Sequence, residues 1–246
     1  MKGRNFKDIQ DTVSHWMHGQ GLDRSRMHAT LVQSMAVYRH LPGKYQQVIC
    51  DFVSRFYRHK TVFAHPAVKH RDTLLAITAS NAALVGAAQQ TNCFASVQWI
   101  YFCAKDLPVE GDAQNTTTVR LRAKTCLKES RVITPGSNLV VHEFAHILDA
   151  LLGISGSTAA LRDGFDQYMG NLASADDVIA DCFTPLEDTP HGIEFTEDAD
   201  LHTEVEFFAV ATEAFFTHPY RLKESYPALY RDFVSIYGLD MADYLG

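Results

Sequence analysis

The chain has 246 residues, 46% of them hydrophobic and 21% charged, with a formal net charge of −7 when histidine is neutral. That length and balance fit a globular protein with a sizeable core, and the acidic surplus argues against direct nucleic-acid binding, which needs a basic field. No run of about eighteen apolar residues is present to span a membrane, and the opening Met1-Lys2-Gly3-Arg4-Asn5-Phe6-Lys7-Asp8 has no apolar signal-peptide core.

Cysteine usage points the same way. Cys50, Cys93, Cys103, Cys126 and Cys182 are odd in number and form no C-x-x-C pair. Reduced thiols and a cytoplasmic location are the expectation.

In chain order, residues 5–20 and 24–40 read as mixed-face helices, an N-terminal helical extension over 1–40 ahead of one compact domain over 41–246. His15, His18, His28, His40, His59 and His65 are scattered there without ligand spacing. After Pro42-Gly43, residues 44–59 form a periodic helix with Val48, Ile49, Phe52, Val53 and Phe56 on one stripe. Residues 61–64 read as a short strand. Residues 71–90 read as an Ala-rich helix whose small members admit a close neighbour. Strands are expected at 97–103, at 117–125 from the alternation of Val119, Leu121 and Ala123 with Arg120 and Arg122, and at 131–134. A polar loop over 110–115 separates the first two. The small sheet precedes the chain's central motif, and its edge strand could pair with an extended peptide.

That motif is His142-Glu143-Phe144-Ala145-His146, within the apolar run Leu139 to Leu152. Residues four apart share a helix face, so His142 and His146 can aim at one point. H-E-x-x-H on a helix is the pattern of Zn²⁺ held by two imidazoles, with the intervening Glu143 as general base. Ser137 is a plausible N-cap after Pro135-Gly136. Asp149, one turn after His146, either accepts the free N–H of a ligand histidine or holds another buried polar contact.

Beyond the motif, residues 158–171 read as a helix and 172–200 as a long acidic loop able to gate the site. Residues 203–217 form a second apolar helix bearing Glu206 and Glu213, and 226–237 a final amphipathic helix. A catalytic zinc usually has three protein ligands and a water. No third histidine follows His146 at ligand spacing, so the third ligand must be distant. Glu206 opens the second helix and Glu213 lies two turns deeper, so only one of them can reach the metal. Glu206, at the exposed end, is the expected ligand, and Glu213 a supporting contact.

The stretch from Asn138 to Asp149 together with Glu206-Phe207-Phe208-Ala209-Val210 and Glu213 through Phe216 resembles the Mlc titration factor A family of zinc peptidases. Tyr226-Pro227-Ala228-Leu229-Tyr230 agrees with its C-terminal end. The resemblance implies a mostly helical, zincin-like α+β metallopeptidase domain with a small sheet. It implies a gluzincin-like site, with His142, His146 and Glu206 on zinc and Glu143 as base, and an aminopeptidase-like activity on a peptide or protein substrate. Relatives bind a glucose-responsive transcriptional repressor, so a repressor is an expected partner, and a catalytically weak, regulator-sequestering protein is the alternative function. Members carry Asp-x-Tyr before the ligand Glu, and that Tyr assists the tetrahedral intermediate. Ala199 stands there instead, leaving His202, Tyr168 and Tyr101 as candidates for its role.

Overall fold

The structure is a computed structural model and describes residues 14–16, 24–86, 88, 93–104, 111–114, 116–174 and 203–245. The chain is a mostly helical α+β domain around a small sheet. Its strands are β1 (Ser14–Trp16), β2 (Thr61–Ala64), β3 (Trp99–Cys103), β4 (Gly111–Gln114) and β5 (Thr118–Arg122). Its helices are α1 (Arg24–Ser34), α2 (Ala36–His40), α3 (Gly43–Phe56), α4 (Arg71–Gly86), α5 (Ala123–Arg131), α6 (Leu139–Leu152), α7 (Ala159–Ser174), α8 (Glu204–Thr217), α9 (Pro219–Ser225) and α10 (Pro227–Tyr237).

The sheet order is β1-β2-β3-β5-β4. β2, β3 and β5 run parallel, and β1 and β4 pair antiparallel at the two edges. Alternation along the central strands decides which face is covered. Val62, Ala64, Ile100, Phe102, Val119 and Leu121 are at most 1% exposed, on the helical side. Tyr101 points to the other face and stacks on Phe63 with ring centroids 4.8 Å apart.

α6 lies between α8 and α4 and runs beside β4 and β5. α4 is buried from Leu74 through Gly86, and its alanines let α6 approach. Phe144 sits two residues from each histidine of the motif, on the opposite helix face. Its ring meets Phe94 at 4.8 Å and Phe56 at 5.8 Å. Burying one such side chain contributes about 1.5–3 kcal/mol. That contact fixes the rotation of α6 and turns the histidines away from the core.

The elements differ from expectation at several places. Residues 14–16, read as helix, form edge strand β1, and the rest of 5–20 lies outside the described residues. The helix expected over 24–40 breaks at Met35, whose φ of −128° and ψ of 104° are extended. The strand expected over 117–125 stops at Arg122 and α5 follows directly. The buried residues of α5 are Ala123, Cys126, Glu129 and Ser130, a helical spacing without large aliphatic members. The strand expected at 131–134 has no partner strand among the described residues, only a bridge from Thr134 to Ser137. Within the loop expected at 110–115, Gly111–Gln114 pairs with β5 as β4. The acidic stretch from 175 to 202 lies outside the described residues, and α7 extends to Ser174.

Candidate metal centre

Local chemistry places the start of α6. Gly136 turns the chain with φ of 66°, and Asn138 is the N-cap, its side chain accepting from the Val141 N–H at 3.2 Å. Ser137, the expected cap, instead donates its hydroxyl to Glu129 at 2.9 Å. The other carboxylate oxygen of Glu129 accepts from the Leu139 N–H at 2.7 Å. Glu213 of α8 accepts from the Asn138 N–H. Two buried carboxylates therefore satisfy N–H groups at the helix N-terminus, where the dipole favours negative charge. Asn81 of α4 accepts from the Asn138 side-chain amide at 3.1 Å, and Thr217 of α8 accepts from the Gly136 N–H at 2.8 Å.

At the other end Gly153 adopts φ of 62°, in the left-handed region, and its N–H reaches the Asp149 carbonyl at 2.7 Å. The Asp149 carboxylate accepts from the Ser155 N–H at 2.5 Å and from its hydroxyl at 2.8 Å. Of the two roles open to Asp149 from the sequence, the contacts seen are those of a buried polar hold on the following turn.

Between these ends the histidine side chains converge. His142 Nε2 and His146 Nε2 are 3.0 Å apart. Glu206 Oε1 lies 3.2 Å from His146 Nε2, and Oε2 3.5 Å from His142 Nε2. Glu206 reaches this point from the first turn of α8, which Thr203 caps through the Glu206 N–H at 3.2 Å. Glu206 Oε2 is buried without a hydrogen-bond partner, which is costly. Three ligand atoms around a tetrahedral cation with bonds of about 2 Å would lie about 3.3 Å from one another. The two Nε2 atoms, 3.0 Å apart, and the nearest Glu206 oxygen to each, 3.2 Å for His146 and 3.5 Å for His142, are close to that spacing. His142, His146 and Glu206 thus fit a metal ion.

Electrostatics favour a cation here. Burial pulls the His142 imidazole down, but the neighbouring Glu206 and Glu213 carboxylates outweigh it and hold His142 well above its ordinary value. Burial pushes the Glu206 carboxyl up, and bonds and charge from His142 and His146 overcome that and hold it well below the usual carboxylate range. Both shifts have one cause, the attraction between the carboxylates and a positive charge beside them.

Glu213, 1% exposed, hydrogen-bonds His142 Nδ1 at 2.8 Å, on the side of the ring away from Nε2. Glu143 is buried next to His142. Burial, with the charges of Glu129 and Glu143 added, pushes up the Cys126 thiol. Tyr168, also 1% exposed, packs its ring on Phe207 at 5.4 Å, directly behind Glu206. Burial, with Tyr226 and Glu206 adding to it, pushes its hydroxyl well above the ordinary tyrosine range. Tyr101 lies on the far face of the sheet, and His202 and Ala199 lie outside the described residues.

Sequence reasoning missed Asn138, Glu129, Asn81 and Thr217. Asn138 had a signal, being an N-cap residue type immediately before the apolar run. Glu129 had none, since its partners are the Ser137 hydroxyl and the backbone N–H of Leu139 beyond an intervening turn.

No relative was found among curated proteins. A family model described as glucose-regulated metallo-peptidase M90 matches residues 18–238, spanning both metal-bearing helices and most of the chain. With this coverage and a histidine–histidine–glutamate cluster able to hold a metal, the chain belongs to the glucose-regulated metallo-peptidase M90 family, in agreement with the resemblance carried by its two motifs.

Proposed function

We propose that the protein is a zinc-dependent peptidase, aminopeptidase-like and cytoplasmic, acting on peptides. The observation that carries this reading is the triangle of His142 Nε2, His146 Nε2 and Glu206. Two imidazoles and one carboxylate are a donor set suited to catalytic zinc, with a fourth position left for water. Bound there, zinc supplies a Lewis acid for the scissile carbonyl and brings the pKa of a water toward neutrality. His142 and His146 hold their Nε2 atoms toward the ion, and Glu213 fixes the His142 ring through Nδ1. Glu143 takes the proton of the attacking water and passes it to the leaving amine.

Substrate placement follows from the sheet. β4 is an edge strand and runs beside α6. Among the described residues its outer edge pairs with no other strand, so an extended peptide can add to it by main-chain hydrogen bonds. Residues 41–246 carry the metal site, and the segment before them adds β1 to the same sheet and Met27, Leu31 and Met35 to the same core.

The alternative is a binding protein that sequesters a transcriptional repressor. Ala199, where relatives carry the assisting Tyr, favours it; Glu143, which metal binding alone does not need, opposes it. A fluorogenic peptide panel with wild type and Glu143→Gln separates the two. The peptidase reading expects the variant to be slower by about 10²–10⁴-fold, the usual contribution of a general base, with zinc retained. Cleavage at the wild-type rate by the variant, or none by either protein, would defeat it.

A further inference from the structure

A cavity lies on the side of the metal helix away from the histidines. Its volume is about 360 Å³, and it is lined by Phe52, Arg55, Phe56, Arg58, His59, Lys60, Phe94 and Ala95. The charged members are cationic, although the chain carries a net charge of −7. Among the described residues no ion pair joins Arg55, Arg58, His59 or Lys60 to a carboxylate.

Lys60 is the informative residue. Its Nζ donates to the Phe94 carbonyl at 2.6 Å and the Val97 carbonyl at 2.9 Å, and lies 4.6 Å from the centre of the Phe56 ring. An ammonium has three donors, so one remains for the cavity. Burial pulls Lys60 down to about 8, so it is still charged at neutral pH. The neighbouring Cys93 thiol, pushed up to about 11 by burial, is neutral and supplies no counter-charge. A partly buried cation without a counter-ion is unfavourable unless an anion joins it. Basic residues near the end of α3 also suit its dipole, which accounts for Arg55. It does not account for Lys60, whose bonds go to the segment before β3.

We infer that this cavity binds a small phosphomonoester with an aromatic or apolar body. Arg55 and Arg58 present guanidinium forks, which match phosphate oxygens bidentately. The Arg55 Nε bonds the Asp51 carbonyl at 3.0 Å, leaving its terminal N–H groups for the ligand. Phe52, Phe56 and Phe94 supply the apolar wall, and the volume falls within the usual range for small-ligand sites. The cavity is separate from the metal centre, with Phe144 between them: Phe94 and Phe56 touch the face of α6 opposite the histidines.

The test is isothermal titration calorimetry of the metal-loaded protein with phenyl phosphate. Benzoate, a monoanion, and phenol, uncharged, are the comparisons. Wild type should bind phenyl phosphate at millimolar concentrations or below, benzoate more weakly and phenol least. Arg55→Ala/Arg58→Ala changes only exposed side chains, so it should fold, and it should bind phenyl phosphate at least about tenfold more weakly for the lost charge-assisted bonds. His146→Ala should bind it as wild type does. Binding lost in His146→Ala and kept in the arginine variant would place the phosphate on the metal and overturn the proposal. Benzoate binding as tightly as phenyl phosphate, or no heat of binding at all, would also overturn it.

Discussion

Glu213→Gln is the substitution that best isolates how the second helix supports the metal centre. The Glu213 carboxylate accepts from His142 Nδ1 at 2.8 Å and from the Asn138 N–H, and it is 1% exposed. Glutamine keeps the shape and one acceptor oxygen. Its amide nitrogen must then face either an N–H donor of the backbone or the N–H of His142, so one contact becomes a donor–donor conflict. The charge is lost as well, and charge-assisted hydrogen bonds are roughly twice as strong as neutral ones. Partners that orient a ligand histidine typically govern metal affinity by 10–100-fold, so zinc should bind about 10–100-fold more weakly. The folded state should also lose about 1–3 kcal/mol for the group left unsatisfied. Competition with a chromophoric chelator measures the first quantity and urea denaturation of the metal-free protein the second. Unchanged zinc affinity together with an unchanged urea midpoint would refute the argument that Glu213 orients His142 and caps α6.

Other expectations follow from the same geometry. Glu129→Ala removes the acceptor for the Leu139 N–H and the Ser137 hydroxyl, and should cost about 1–3 kcal/mol in urea unfolding while zinc stoichiometry is kept; loss of zinc with full stability would contradict it. Zinc affinity should rise with pH, about tenfold per unit for one displaced proton, because His142 in the metal-free chain is held protonated by Glu206 and Glu213. The metal-free fold should behave in the opposite sense. A histidine raised above its unfolded value of about 6.5 stabilises fully below that value and loses its contribution as pH rises through the folded value. Chelator competition and urea midpoints across pH check both signs, and zinc affinity independent of pH would contradict the first. Asp149→Ala should loosen the turn at Ser155 and lower stability by about 1–3 kcal/mol, with zinc stoichiometry unchanged by elemental analysis.

Much of the centre was legible in the sequence because its ligands lie on helices with strong periodic signals. Four-residue spacing brings His142 and His146 together whatever the rest of the chain does. Glu206 stood out as a carboxylate at the start of an otherwise apolar helix, and the structure brings it to the same point. The supports of that centre were less legible because they are long-range and polar. Glu129 meets Leu139 through the backbone, which no side-chain pattern records. α5 hid because its buried face is made of Cys126, Glu129 and Ser130, which carry little apolar signal. β4 hid because Gly111-Asp112-Ala113-Gln114 has no strand alternation, and pairing with β5 alone makes it a strand. Conversely, Val132-Ile133-Thr134 has strand-forming residues and, among the described residues, no strand beside it. β propensity without a partner does not make a sheet.

The most direct test of the centre is a zinc-edge anomalous difference map from crystals of the zinc-loaded protein. The account predicts one strong peak per chain, bonded by His142 Nε2, His146 Nε2 and a Glu206 oxygen, with Glu213 on His142 Nδ1. A peak bonded by Glu213 with Glu206 turned to solvent, or no peak between the two histidines, would contradict it.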